Sequence, residues 1–223
     1  MLRKKKIKMP TLIKGEKRRV LIIVHGAWRV NLHNKALKKG VERVLGLLTA
    51  KHQIQRKDYH NLAKYFKKNY DIIELFRWDG RAPPRAKDIP ESKSFKNLLD
   101  KYKDDSVDII AVSLGGYVVE RGLRGSKNRI NKILYIGAMH SGKHIPKNAK
   151  KVINVYSGKD KMYKYANNIF EGFGNTVLKG KNVLNVVLEK VRHDELGRNI
   201  LLKEKKIREK SLYALYKVLL LEK

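Results

Sequence analysis

The segment Val107–Gly116, VDIIAVSLGG, decides the fold. Its first six residues form a largely apolar run rich in Ile and Val, typical of a strand buried on both faces of a sheet. Ser-Leu-Gly-Gly ends the run, and a helical pattern follows from Tyr117. Small residues two positions before and after the serine, Ala111 and Gly115, let a strand and a helix approach closely. The segment therefore predicts a sharp strand–serine–helix turn at Ser113.

Five further runs of the same kind alternate with helical patterns along the chain. These runs are Val20–Val24, Tyr70–Phe76, Ile130–Ile136, Val152–Tyr156 and Val183–Leu188. Apolar residues at three- and four-residue spacing predict helices over Lys35–Leu48, Tyr59–Phe66, Phe95–Tyr102, Tyr117–Leu123, Tyr163–Phe170 and about Glu195–Leu221. Gly137–Lys151 lacks that spacing and is expected to be a loop. The alternation predicts a three-layer α/β/α sandwich with a mostly parallel sheet of about six strands.

Composition sets bounds on size and chemistry. The 223 residues fit one domain, and the absence of cysteine excludes disulfides, thiolate zinc sites and Cys nucleophiles. The formal charge of +31 favours nucleic acid or an anionic surface as a partner, yet 42% hydrophobic residues exclude a disordered basic tail. Residues 1–19, with nine basic residues and one acidic, are expected to form a basic arm before a single domain over residues 20–223.

Targeting signals are weak in this sequence. No apolar stretch approaches the roughly 20 residues of a membrane-spanning helix, and none follows the basic segment Met1–Lys8. HDEL at His193–Leu196 is internal, and this tetrapeptide is an address only at a C-terminus. We therefore expect a soluble cytoplasmic protein without a transmembrane segment, and its oligomeric state stays open.

Three polar residues each follow a different predicted strand, at the strand ends where ligands bind in parallel sheets. Ser113 follows the third run, Asp160 the fifth and His193 the sixth. A serine nucleophile needs a base, and the base needs an acid to orient it. Each residue alone has a simpler interpretation, as a helix cap, a turn aspartate or a loop histidine. Their joint order predicts a Ser-His-Asp triad.

Other residues compete for the same roles. His25 and His140 also follow strands, but as bases they would break the order serine, acid, histidine. Glu189 is the alternative acid, whereas Asp194 adjoins His193 in sequence, which is poor geometry for orienting the same ring. His25 is expected to bond to nearby backbone and hold its turn.

The first strand is followed by His-Gly-Ala-Trp. A turn there aims the Ala27 N–H at a developing oxyanion, and the Leu114 N–H supplies the second donor. Trp28 either walls the substrate pocket or belongs to the core.

Taken together, VLIIVHGAW, DIIAVSLGGYV, ILYIGAMHSG, VINVYSGKD and VRHDEL resemble the α/β-hydrolase superfamily, over roughly nine-tenths of the chain. HGAW, SLGG and the histidine of AMHSG resemble lipase-like members without a large cap domain, although Met139 stands where those members often have proline. The resemblance implies an acyl-enzyme route to ester, thioester or amide hydrolysis, without a metal or organic cofactor. It assigns catalysis to Ser113, Asp160 and His193, the oxyanion hole to Leu114 and Ala27, and the pocket to Trp28 and His140.

A different class of function competes with this interpretation. The chain is alternatively a basic protein that binds nucleic acid or an anionic surface on a hydrolase-like scaffold, or a hydrolase whose basic face docks on anionic lipid. No helix-turn-helix, zinc-finger or RNA-recognition signature accompanies the charge. The expected partner is a small acyl ester or lipid substrate, with weak association to anionic surfaces or nucleic acid.

Overall fold

Six parallel strands form the central sheet. The computed structural model describes residues 17–26, 29–30, 56–78, 81–82, 92–140, 146–158, 177–202 and 207–222, and the structural statements below concern these residues. The strands are β1 (Arg19–Val24), β3 (Ile72–Phe76), β5 (Ser106–Val112), β6 (Ile130–Ile136), β7 (Ala149–Ser157) and β8 (Val183–Leu188). Their order across the sheet is β3-β1-β5-β6-β7-β8, and every neighbouring pair is parallel. Two short strands, β2 (Arg29–Val30) and β4 (Arg81–Ala82), pair separately.

Helices cover both faces of the sheet. They are α1 (Arg56–Phe66), α2 (Ser92–Lys101), α3 (Gly115–Leu123) and α4 (Leu212–Leu221), with a 3₁₀ helix at His193–Glu195. Successive side chains of a strand point to opposite faces, so Val20, Ile22 and Val24 pack with α2 and α3, while Leu21 and Ile23 pack with α1 and α4. The predicted three-layer α/β/α architecture is confirmed. Burial on both faces explains why the inner strands β1, β5 and β6 have continuous, largely apolar sequences.

The long helix predicted over about Glu195–Leu221 is wrong. After the 3₁₀ helix the chain forms an antiparallel bridge between Leu201 and Ser211, and α4 begins only at Leu212. The Ser211 side chain accepts a hydrogen bond from the Ala214 N–H at 3.3 Å, so it caps a new helix that the apolar spacing alone did not reveal.

Other predicted segments have mixed outcomes. The helices predicted over Lys35–Leu48 and Tyr163–Phe170 lie outside the described residues, as do residues 1–16 of the basic arm. The described parts of Gly137–Lys151 contain no helix before β7, as predicted. No helix within the described ranges has both the length and the apolar composition needed to cross a bilayer. Because all six strands are parallel, their carboxyl ends meet at one edge of the sheet, which carries the residues considered next.

Candidate active site

Ser113 lies in the sharp turn between β5 and α3. Its φ is +51°, and it is the one non-glycine residue with positive φ in the described part of the chain. The Ser113 N–H donates to the Ile136 carbonyl at 3.1 Å, and the Ser113 carbonyl accepts from the N–H groups of Gly116 at 3.0 Å and Met139 at 2.9 Å. A serine in this conformation costs about 1–3 kcal/mol and persists only where its surroundings fix it. The predicted turn is therefore present, and the end of β6 holds it.

Two glycines allow backbone segments to approach the turn. A Cβ atom on Gly115 would lie 2.6 Å from the Val24 carbonyl oxygen, so a larger residue would push α3 away from β1. A Cβ atom on Gly26 would lie 2.7 Å from Ser113 Cβ and 3.3 Å from its Oγ. The turn after β1 thus lies directly beside the Ser113 hydroxyl.

The backbone amide after the serine belongs to Leu114. The Leu114 N–H has no hydrogen-bond partner within the described part of the structure. Leu114 is the N-cap of α3, and the amide end of a helix carries partial positive charge. This amide is therefore available to an anion that forms next to Ser113. The other predicted donor, Ala27, and the predicted pocket residue Trp28 lie outside the described residues.

A cluster of aromatic rings fixes the turn after β1. The His25 Nδ1–H donates to the Gly26 carbonyl at 2.6 Å, while His25 Nε2 accepts from the Trp78 N–H at 3.3 Å. The Trp78 indole N–H donates to the His25 carbonyl at 2.8 Å, and the two rings stack. From α1, the Tyr59 hydroxyl accepts from the Gly26 N–H at 3.0 Å. The expectation that His25 holds its own turn is confirmed.

His193 opens the 3₁₀ helix and lies over the end of β6. A Cβ atom on Gly137 would lie 3.3 Å from both Nδ1 and Cε1 of the His193 ring. Gly137 follows Ile136, the residue whose carbonyl accepts from the Ser113 N–H. Ser113 and the His193 imidazole therefore lie at the carboxyl ends of neighbouring strands, and each is half-buried.

The segment that carries His193 is anchored on both sides. Before it, the Ser157 hydroxyl at the end of β7 donates to the Val191 carbonyl. After it, the Tyr216 hydroxyl of α4 donates to the Leu196 carbonyl at 2.7 Å, and the Tyr213 hydroxyl donates to the Gly197 carbonyl at 3.0 Å. These bonds come from two elements distant in sequence and limit the positions that the imidazole can adopt.

The predicted acid, Asp160, lies outside the described residues. The chain is described as far as Gly158, whose N–H donates to the Leu188 carbonyl at 3.1 Å. The alternative acid, Glu189, lies against Gly158, because a Cβ atom there would be 2.5 Å from the Glu189 Oε2 atom. The structure thus places Glu189, and the residues that lead to Asp160, at the adjoining ends of β7 and β8.

His140 is a buried residue next to the serine turn. Its side chain is 2% exposed and the ring lies beside Tyr135. Neither ring nitrogen has a hydrogen-bond partner among the described residues. Burial lowers the pKa of His140 to about 4, so the imidazole is neutral at pH 7. The N–H of the preceding residue, Met139, donates a hydrogen bond to the Ser113 carbonyl, which holds this segment against the turn. The described residues contain no group of three or more His, Asp or Glu placed to hold a metal ion.

Several supporting residues carry no signal in the sequence. These are Tyr59, Trp78, Ser157, Tyr213 and Tyr216, which fix the turn after β1 and the His193 segment. Each forms a hydrogen bond with a residue that is at least 16 positions away in the sequence and lies outside its own strand or helix. No local spacing can reveal such contacts, because they depend on the packed layers.

Comparisons with known proteins give likeness at the level of the fold. No protein-family profile and no curated protein sequence matches the chain. Among solved structures, the chain is similar to an α/β serine hydrolase without lid from Xanthomonas campestris (12% identity, 83% of this chain and 77% of that chain, TM-score 0.45). It is also similar to one of LipS and LipT, two metagenome-derived lipolytic enzymes (11% identity, 82% of this chain and 89% of that chain covered, TM-score 0.45).

A third similar structure is an extracellular α/β-hydrolase from a Paenibacillus species, at 13% identity and a TM-score of 0.35. That alignment covers 54% of this chain, which spans 41% of the other. The all-parallel sheet, its helices on both faces and the serine turn at the end of β5 are the α/β-hydrolase fold.

Proposed function

We propose that this chain is a serine hydrolase that cleaves a carboxylic ester or a related acyl bond through an acyl-enzyme. The observation that carries the proposal is the backbone conformation of Ser113, with φ at +51° at the end of a buried parallel strand. This conformation lifts a nucleophile clear of the sheet and costs free energy that an ordinary helix-capping serine does not need. The Leu114 N–H, which has no partner among the described residues, and the nearby His193 imidazole support the same conclusion.

In the proposed first step, Ser113 Oγ attacks the acyl carbonyl carbon while the His193 imidazole takes the hydroxyl proton. The carbonyl oxygen becomes an oxyanion, which the N–H groups of Leu114 and Ala27 stabilise. As the tetrahedral intermediate collapses, the bond to the leaving group breaks and His193 returns the proton to that group. The product of this step is an ester of Ser113.

In the second step, water attacks the acyl-enzyme and gives one proton to His193. Collapse of the new intermediate releases the carboxylic acid, and the proton returns to Ser113 Oγ. Asp160 accepts a hydrogen bond from the imidazole throughout and stabilises its cationic form. Ser157 supports this arrangement, because its hydroxyl joins the strand that leads to Asp160 to the segment that leads to His193.

A panel of p-nitrophenyl esters, from acetate to decanoate, tests the function and the acyl chain length together. We expect Ser113→Ala to lower kcat/KM by about a thousandfold or more on every ester that the wild type cleaves. Ser106→Ala, at the amino end of the same strand, is the matched control and should keep wild-type kinetics. Equal activity of the wild type and Ser113→Ala, or no activity of the wild type on any acyl substrate, would overturn the proposal.

The two candidate acids can be separated by a pair of isosteric substitutions. Asp160→Asn removes the charge that orients the imidazole and should lower kcat by about a thousandfold or more. Glu189→Gln should leave kcat within a few-fold of wild type. The opposite ranking would assign the acid to Glu189 and leave the serine nucleophile in place.

A further inference from the structure

A cavity of about 240 Å³ lies at the carboxyl ends of β1 and β3, beside the turn that carries Gly26. Its walls are mainly apolar and include Leu75, Phe76 and Trp78, and its mouth carries Arg77 and His60. An engineered cavity of about 150 Å³ holds a benzene molecule, so this volume accommodates a single ring with a short chain. Ser113 does not line the cavity.

The polar atoms on the cavity walls are engaged within the protein. The His25 Nδ1–H donates to the Gly26 carbonyl, and His25 Nε2 accepts from the Trp78 N–H. The Tyr59 hydroxyl oxygen accepts from the Gly26 N–H. The Trp78 indole N–H donates to the His25 carbonyl. These residues therefore offer aromatic surface to an occupant, which favours an apolar group inside the cavity.

The mouth of the cavity carries a cationic side chain, the Arg77 guanidinium. Arg77 and His60 are exposed, and neither forms a hydrogen bond or an ion pair within the described part of the chain. Asp58 on α1 is buried and lies 4.0 Å from the Arg198 guanidinium. It lines a different groove, together with Tyr65 and Tyr213. A guanidinium at the rim of an apolar cavity suits a carboxylate at the end of an apolar group.

We propose that this cavity is a binding site for a small apolar carboxylate, with its ring or chain inside and its carboxylate on Arg77. The site is separate from the Ser113 chemistry and does not depend on hydrolysis. It adjoins the turn that places Gly26 beside Ser113, so an occupant contacts the same aromatic cluster that fixes that turn. The proposed ligand is the ionised carboxylate, and a neutral molecule of the same shape should bind more weakly.

Isothermal titration calorimetry with 3-phenylpropanoate and its neutral isostere 3-phenylpropanamide tests the site. We expect the wild type to bind the carboxylate with a Kd below about 1 mM and about fivefold more tightly than the amide, since an exposed ion pair contributes up to about that factor. Arg77→Gln should remove this preference while still binding the amide. Arg129→Gln, which removes an exposed arginine at the amino end of β6, is the matched control and should keep it.

A second variant tests the cavity itself. Leu75→Phe adds volume to the wall and should weaken both probes at least tenfold, with a thermal unfolding midpoint showing that it folds. Ser113→Ala should bind both probes as the wild type does, so that a failed hydrolase assignment stays distinct from a failed binding site. No binding by the wild type, a carboxylate preference that survives Arg77→Gln, or unchanged binding by Leu75→Phe would each overturn the proposal.

Discussion

Gly137 lies beneath the His193 imidazole and has a φ of +50°. An alanine there adds backbone strain of about 1–2 kcal/mol, and its Cβ would also lie 2.7 Å from Leu196 Cδ1 and 3.3 Å from the imidazole. We predict that Gly137→Ala lowers kcat by tenfold or more, because His193 is the proposed base and its displacement by less than an ångström would impair proton transfer. Steady-state ester hydrolysis measures this effect.

Gly125 offers a control for the strain alone. Its φ is +69°, and a Cβ atom there meets nothing within 4 Å. Gly125→Ala should lower the free energy of unfolding by a similar 1–2 kcal/mol, roughly, and leave kcat unchanged. An equal loss of kcat in both variants would show that Gly137 does not act through His193.

His140 gives the stability of the protein a specific pH dependence. Its pKa is about 4 in the folded chain, against about 6.5 when exposed, so below pH 6.5 the unfolded chain binds a proton that the folded chain does not. Stability is therefore lost as the pH falls from 6.5 to 4, by about 3 kcal/mol in all.

Urea unfolding at several pH values measures this loss. His140→Phe keeps a ring beside Tyr135 and removes the titrating group, so its free energy of unfolding should fall less than that of the wild type over the same range. Parallel pH profiles for the two proteins would contradict a buried, neutral His140.

At the scale of elements, α1 and the end of β3 hold the turn that follows β1. The Tyr59 hydroxyl of α1 accepts from the Gly26 N–H. After β3, Trp78 donates its backbone N–H to His25 Nε2 and its indole N–H to the His25 carbonyl. The next amide along the chain belongs to Ala27, the predicted oxyanion donor. We predict that Tyr59→Phe leaves the Gly26 N–H without its acceptor and lowers kcat roughly tenfold, with little change in KM.

Tyr70→Phe is the matched control for that substitution. Tyr70 is also buried, and its hydroxyl donates to Asp108 at 2.8 Å near the amino end of the sheet. Its loss should destabilise the fold without changing kcat at a temperature where both variants are folded. If Tyr59→Phe and Tyr70→Phe have equal kinetics, the Tyr59 bond only contributes to stability.

The elements show how far sequence patterns reach. Runs such as Val20–Val24 and Ile130–Ile136 fall in β1 and β6, because burial on both faces leaves a continuous apolar run. Apolar spacing predicts a last helix that is too long, because the spacing continues through the bridge between Leu201 and Ser211. Tyr59 and Ser157 act on the site only through packing between distant elements, so no sequence pattern marks them.

The charge of +31 belongs to the whole molecule. Exposed lysines occur on helices of both layers, such as Lys64 on α1 and Lys93 on α2, and on the turn at Lys67 and Lys68. A dispersed coat favours weak, non-specific attraction to polyanions over a defined nucleic-acid site.

Fluorescence anisotropy with a labelled DNA duplex tests this interpretation. We predict a Kd weaker than about 1 µM near physiological salt, with affinity that falls steeply as salt rises. A Kd far below this value that depends on DNA sequence would favour the nucleic-acid-binding alternative.

Active-site labelling with a fluorophosphonate, read by intact mass, tests the central claim most directly. The reagent forms a covalent adduct with an activated serine. We predict one adduct on the wild type and on Ser106→Ala, at the peptide that contains Ser113, and none on Ser113→Ala. Equal labelling of Ser113→Ala and wild type, or no labelling of the wild type, would contradict the assignment of Ser113 as the nucleophile.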